Sequence, residues 1–155
     1  MRSLSRSYAN MTLKDLQRMA LLRQHEKYPN VPIHALYVKP FKDTTANELT
    51  RSIEAFVRMS GHYADRINNT GIYDKRTGRW RKGGTRKGIA DIMAAKHIVI
   101  GDRKLAITVA IEVKIGKDRM SPDQERVKAE IEKAGGVYII ARTWDQFYTE
   151  WQAIQ

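Results

Sequence analysis

The sequence predicts an α/β layer fold, and three observations carry that expectation. Residues 105–114 read Leu-Ala-Ile-Thr-Val-Ala-Ile-Glu-Val-Lys, a period-two alternation that marks a strand with one apolar face. Residues 137–141, Val-Tyr-Ile-Ile-Ala, are a continuous apolar run suited to a strand buried inside a sheet. Around these strands, Thr45, Ser121 and Thr143 each open a stretch whose apolar residues recur at helical spacing.

Residues 1–11 are polar and basic, and Thr12 with Asp15 forms an N-cap signal for a short helix whose apolar side is Leu13, Leu16, Ala20 and Leu22. Pro29, Pro32 and Pro40 punctuate a connector in which residues 34–39 suit either a short strand or an extended arm. Residues 1–43 thus read as an extension on a more regular domain spanning 44–155. That domain opens with a helix capped at Thr45, carrying Leu49, Ile53, Phe56 and Val57 inward and stopping at Gly61. Residues 62–67 suit a strand, ended by the turn chemistry of Asn68-Asn69-Thr70-Gly71.

A second apolar run, residues 89–100, precedes the alternating strand, and Gly101-Asp102-Arg103-Lys104 between them predicts an antiparallel hairpin. Ser121-Pro122-Asp123-Gln124 then opens a helix with Val127, Ile131 and Ala134 inward, ended by Gly135 and Gly136. Trp144, Phe147, Tyr148, Trp151 and Ile154 follow the last strand at helical spacing and read as core. The resulting order is helix, three strands, helix, strand, helix, α-β-β-β-α-β-α, without an internal repeat.

The chain of 155 residues fits one domain. Its 28 Lys and Arg against 17 Asp and Glu leave a net charge of +11, which favours a polyanionic partner, nucleic acid ahead of a membrane. The absence of cysteine excludes disulfides, thiolate catalysis and cysteine-zinc sites and is compatible with a reducing compartment. No apolar run approaches the roughly 20 residues that span a bilayer, and the first residues lack the apolar core of a signal peptide. The expectation is a cytoplasmic protein. His25, His34, His62 and His97 show no paired ligand spacing and read as structural or exposed.

Within the hairpin, a two-residue or four-residue loop that pairs Ile100 with Leu105 sets Lys114 opposite Asp91 and Glu112 opposite Met93. Opposite residues of an antiparallel pair share a face, so Asp91, Glu112 and Lys114 converge, the two carboxylates on a diagonal of roughly 7–8 Å. Just before Asp91, residues 75–87 hold Lys75, Arg76, Arg79, Arg81, Lys82, Arg86 and Lys87 with Trp80, three glycines and no acid. That composition fits a solvated loop between strands, and equally a segment that neutralises phosphates while Trp80 stacks on an exposed base. Its position beside the acidic cluster favours the second.

Two neighbouring carboxylates in a basic protein suit a hard divalent cation, magnesium first, and phosphodiester hydrolysis uses such an ion together with a lysine. Taken alone, the same residues also fit a cross-strand ion pair of Asp91 and Lys114 with Glu112 solvated nearby. The set Gly88-Ile89-Ala90-Asp91, Glu112-Val113-Lys114 and Ser121-Pro122-Asp123-Gln124, preceded by the helix holding Glu48, resembles the PD-(D/E)XK nuclease superfamily. It is most similar to the virus-type replication-repair nuclease (VRR-NUC) branch, over residues 44–147. Ala90 stands where that family often has proline.

The resemblance implies a restriction-endonuclease-like core, a mixed sheet flanked by helices, and a Mg2+- or Mn2+-dependent DNA endonuclease acting on branched or structured DNA. Asp91, Glu112 and the Val113 carbonyl would be metal ligands, and Lys114 would orient or activate the attacking water. Glu48 matches the family's helix glutamate, although it lies off the apolar stripe and also fits a capping box; Glu54 is the substitute. Gln124 likewise fits either a site role or a capping box with Ser121. A homodimer is an expectation from the resemblance alone. The rival expectations are a non-catalytic basic nucleic-acid-binding module and an RNA-directed nuclease of the same fold.

Overall fold

A computed structural model describes residues 10–67, 72–81 and 85–155. The chain is mixed α/β: a four-stranded mixed sheet flanked by helices, and a separate two-stranded ribbon. Its elements are α1 (Leu13–Lys27), α2 (Ala46–Met59), β1 (Tyr63–Arg66), β2 (Ile72–Asp74), β3 (Arg79–Arg81), β4 (Ile92–Ile100), β5 (Arg103–Val113), α3 (Pro122–Lys133), β6 (Val137–Ala141) and α4 (Trp144–Ala153).

The main sheet runs β1-β4-β5-β6, antiparallel except for the parallel β5/β6 pair. α3 makes the crossover that a parallel pair needs. Odd residues of β5 and even residues of β4 form one face: Ile92, Ala94, Val109, Ile111 and Val113 pack with Ile139 and Ala141 against α2 and α4. There Phe56 meets Trp144, Phe147, Tyr148 and Trp151 edge-on, at centroid distances of 5.4–6.4 Å. The aromatics of α4 are core, as their spacing predicts.

The opposite face is smaller. Ala90, Ala110 and Tyr138 form its buried cluster, with Met93, Met120, Ile131 and Ile140 packed around them. β5 is therefore covered on both sides from Val109 to Val113, whereas its outer half, from Arg103 to Ala106, is exposed. Burial on one face alone, as the alternation suggests, describes neither half. The flanking strands and helices decide which half is dry.

The Thr12/Asp15 capping box starts α1, with the Asp15 carboxylate accepting from Thr12 N at 2.9 Å. α1 runs to Lys27 and seats Leu16 in the main core, but Leu22 is exposed, outside the expected apolar side. A 3-10 turn at Ile33–Ala35 and irregular backbone replace the candidate strand over 34–39. The described part of the extension is tied down: Gln17 bonds Val38 O and Phe41 N, and Trp144 bonds Met11 O and Asp43. Among the described residues no helix is long and apolar enough to cross a membrane.

Candidate active site

The hairpin register is two residues away from the expected one. Ile100 pairs with Arg103, so Ile92 faces Ile111 and Met93 faces Ala110. Gly101, at φ +58°, is the first central residue of a two-residue turn, the position where a hairpin demands positive φ and glycine supplies it. A shift of two preserves the faces. It brings Asp91 alongside Glu112 instead of Lys114.

Asp91 sits where β4 begins. Its Oδ2 accepts from Val113 N at 2.9 Å, and its carbonyl accepts from Ile67 N at 2.8 Å, continuing the β1 pairing. Lys114 N donates to Ala141 O of β6 at 2.9 Å. In a planar trans peptide the Val113 carbonyl points the other way, toward β4 and Asp91. Val113 thus turns both of its backbone polar groups to the acidic side.

Glu112 is only 3% exposed. Its Oε1 accepts from Lys114 Nζ at 3.1 Å and from Gln124 Nε2 at 2.5 Å, while Oε2 is buried with no well-formed hydrogen bond among the described residues, although the Asp91 backbone N–H is close enough to favour the charged carboxylate. Burial and then the nearby Asp91 charge push its pKa above the ordinary glutamate range, partly offset by Lys114. Lys114 bridges on to Asp118 at 3.4 Å. Burial opposes its charge, yet the Glu112 and Asp118 carboxylates hold its pKa above the usual lysine value. At neutral pH Lys114 is an ammonium, a donor and not a base.

Gln124 uses both ends of its amide. Oε1 accepts from Ser121 N at 2.8 Å in a complete capping box, and Nε2 reaches Glu112. The cap fixes the side chain that holds the carboxylate. Gly88, at φ +80°, lets the chain before Asp91 press on the same helix turn: a Cβ there would lie 2.3 Å from the Asp123 carbonyl oxygen.

Glu48 lies in the first turn of α2, half-buried, its Oε2 accepting from the Thr44 and Thr45 hydroxyls. The Thr44 bond, with help from Thr45, lowers its pKa. Glu54 pairs with Arg58 at 3.0 Å. Asn47, beside Glu48, accepts from Arg66 at 2.6 Å, which ties the start of α2 to the end of β1, next to Asp91. Among the described residues, no three His, Cys, Asp or Glu side chains form a metal-binding group.

The donor set nevertheless fits a hydrated hard cation. Such ions often take one or two carboxylates and keep several waters. Asp91, the buried Oε2 of Glu112 and the Val113 carbonyl are oxygen ligands of that kind.

Part of the basic segment is ordered as a ribbon rather than a loop. β2 and β3 pair Tyr73 with Trp80 and Asp74 with Arg79. Asp74 organises the turn, its carboxylate accepting from Arg76 N at 2.9 Å and its carbonyl from Gly78 N at 2.9 Å. Tyr73 and Trp80 share a face with rings 5.4 Å apart, and Trp80 is 72% exposed. Lys75 and Arg76 in the turn, Arg79 on β3 and Lys87 after it are exposed. Arg81 ends β3, and Lys82 lies outside the described residues. Arg86 is held by Glu130 at 2.6 Å and so has a partner within the chain. The segment departs at Ile67, bonded to Asp91, and returns through Gly88, packed against Gln124.

Sequence reasoning overlooked Asp118, Tyr138 and the pairing of His62 with His97. Asp118 carries the i,i+4 signal relative to Lys114, but in a turn after a strand that spacing has no fixed geometry. Tyr138 is concealed in the apolar run of β6, and only the parallel register (Tyr138 beside Ala110) places it on the acidic face. His62 and His97 lie with ring centroids 4.3 Å apart, tilted by 40°, and burial followed by the His97 and lysine charges lowers the His62 pKa. No family model, no curated protein and no solved structure matches this chain.

Proposed function

We propose that the protein is a divalent-metal-dependent endonuclease that hydrolyses phosphodiester bonds in DNA. One observation carries this reading: two neighbouring carboxylates, one with a buried oxygen that has no well-formed hydrogen bond among the described residues, sit beside an ammonium at the end of a sheet. A purely structural cluster would satisfy that oxygen or replace it. The sequence resemblance to PD-(D/E)XK nucleases of the VRR-NUC branch gives the same residues the same roles.

Asp91, Glu112 and the Val113 carbonyl would hold Mg2+ or Mn2+, and Glu48 would join them only by releasing the Thr44 and Thr45 hydroxyls. The ion supplies Lewis-acid polarisation of a phosphoryl oxygen and a more acidic water. Lys114 keeps the attacking water aimed at phosphorus and stabilises negative charge gathering on the phosphoryl oxygens. Water's oxygen bonds to phosphorus as the ester oxygen leaves and takes up a proton. Gln124 holds Glu112 in place, and the exposed cations and Trp80 of the ribbon support backbone and base contacts. The branched-substrate preference, a homodimer and a role in replication or repair rest on the resemblance.

The test is a cleavage panel of linear and branched DNA with Mg2+, Mn2+ or chelator. Asp91→Asn and Glu112→Gln should each lower cleavage by at least about 10³-fold while leaving DNA binding within a few-fold of wild type. Full activity in either variant or in chelator would sink the proposal. The contact of Lys114 with both Glu112 and Asp118 favours a second reading, a non-catalytic binding module with an internal charge cluster. It expects salt-sensitive binding without turnover, and matched RNA substrates distinguish an RNA-directed enzyme.

A further inference from the structure

Tyr138 is the residue on the acidic face that the cleavage scheme leaves without a role. The parallel register sets it beside Ala110, two residues before Glu112 on the same side of the sheet. Its ring is 7% exposed and packs with Ala90, the residue preceding Asp91, and with Ala110. Two alanines where the other face has isoleucine and valine leave room for that ring.

The phenol hydroxyl and Glu112 Oε2 are both buried, and neither has a well-formed hydrogen bond among the described residues. One is a donor and the other, when ionised, only accepts. Burial, and after it the Glu112 and Asp91 charges, raise the pKa of the hydroxyl and keep it a neutral O–H. A dry hydroxyl offers no packing advantage over phenylalanine and is costly when unpaired. A water fits the need of both groups, donating to the carboxylate oxygen while accepting from the phenol.

We propose that Tyr138 is a positioning residue whose hydroxyl donates to a water in the hydration shell of the cation held by Asp91 and Glu112. The inference rests on the metal-dependent reading above and adds to it an anchor on β6. Tyr138 thereby fixes the orientation of a water that the carboxylates alone leave free to rotate, in the way outer-sphere hydrogen bonds tune metal sites.

Tyr138→Phe removes one oxygen and keeps the ring. The experiment compares it with wild type in two measurements: Mn2+ binding by calorimetry without DNA, and denaturant stability in chelator. The expected result is Mn2+ affinity lower by roughly 10-fold, with stability in chelator equal to or above that of wild type. Equal Mn2+ affinity in a folded variant would overturn the role of Tyr138 while leaving the metal site standing. An absence of Mn2+ binding by wild type would overturn both. A loss of affinity matched by a loss of stability in chelator would identify a packing defect and overturn the inference as well.

Discussion

At the inner end of β5 the two faces of the main sheet are both dry and chemically opposite. Ile111 is 0% exposed and Glu112, its neighbour on β5, 3%. On the α2/α4 face, burial removes apolar surface from water and stabilises the fold. On the α3 face the same dryness raises the energy of a carboxylate, leaves one of its oxygens and a phenol without a well-formed hydrogen bond among the described residues, and confines an ammonium. One strand thus carries both a stabilising apolar stripe and a charged one, a single residue out of step. Sites that bind ions or polarise substrates are built this way, and their strain is tolerated because the opposite face supplies the surplus.

The largest test of that division is on the stabilising side. Phe56 is 3% exposed at the centre of the four aromatic contacts. Phe56→Ala should cost about 4 kcal/mol, seen as a lower midpoint in urea at unchanged slope. A cost under about 1 kcal/mol would mean that this face is not the main source of stability.

Gly88→Ala probes where the acidic face is joined to its helix. The new methyl would meet the backbone of Asp123 at 2.3 Å, with φ at +80°. No flexible side chain can yield there. The expected cost is about 2–3 kcal/mol, and because the displaced turn carries Gln124, cleavage should fall further than the stability loss explains. A variant with wild-type stability and cleavage would show that the contact is dispensable.

These two residues also mark how far the sequence could be read. The helical spacing of α2 and α4 identifies the aromatic core, and the alternation of β5 identifies the face it packs on though not which half of the strand is covered. The convergence of Asp91 and Glu112 was legible too, since it depends on face parity, which survived a register shift of two. The shift itself was not, because several placements of a short turn suit Gly101 to Lys104, and only the backbone shows Gly101 taking the positive φ. Tyr138 and the contact at Gly88 depend on the parallel β5/β6 register and the seating of α3, neither of which leaves a local signature. The basic segment shows the same limit: its charge was plain, its ribbon with Tyr73 against Trp80 was not.

The smallest effect should have the opposite sign, and it concerns Glu112 without metal. Glutamine at that position keeps an oxygen for the Gln124 amide and removes a negative charge from the neighbourhood of Asp91, while Lys114 retains Asp118. Glu112 has a folded-state pKa raised above its ordinary value of 4.5. The native state therefore binds the proton more tightly than the unfolded chain, and wild-type stability declines as pH rises from 4.5 through the folded value. Below that window Glu112 is protonated in both states and the penalty vanishes. Glu112→Gln should accordingly be more stable than wild type by about 1 kcal/mol at pH 8 in chelator. The difference should shrink toward zero near pH 4, as measured by urea unfolding across that range. Saturating Mn2+ should reverse the order, since only wild type gains from binding the ion. A variant less stable than wild type at pH 8 in chelator, or a difference that ignores pH, would mean that the acidic face is an ordinary ion-pair cluster and that the contrast between the faces is one of composition alone.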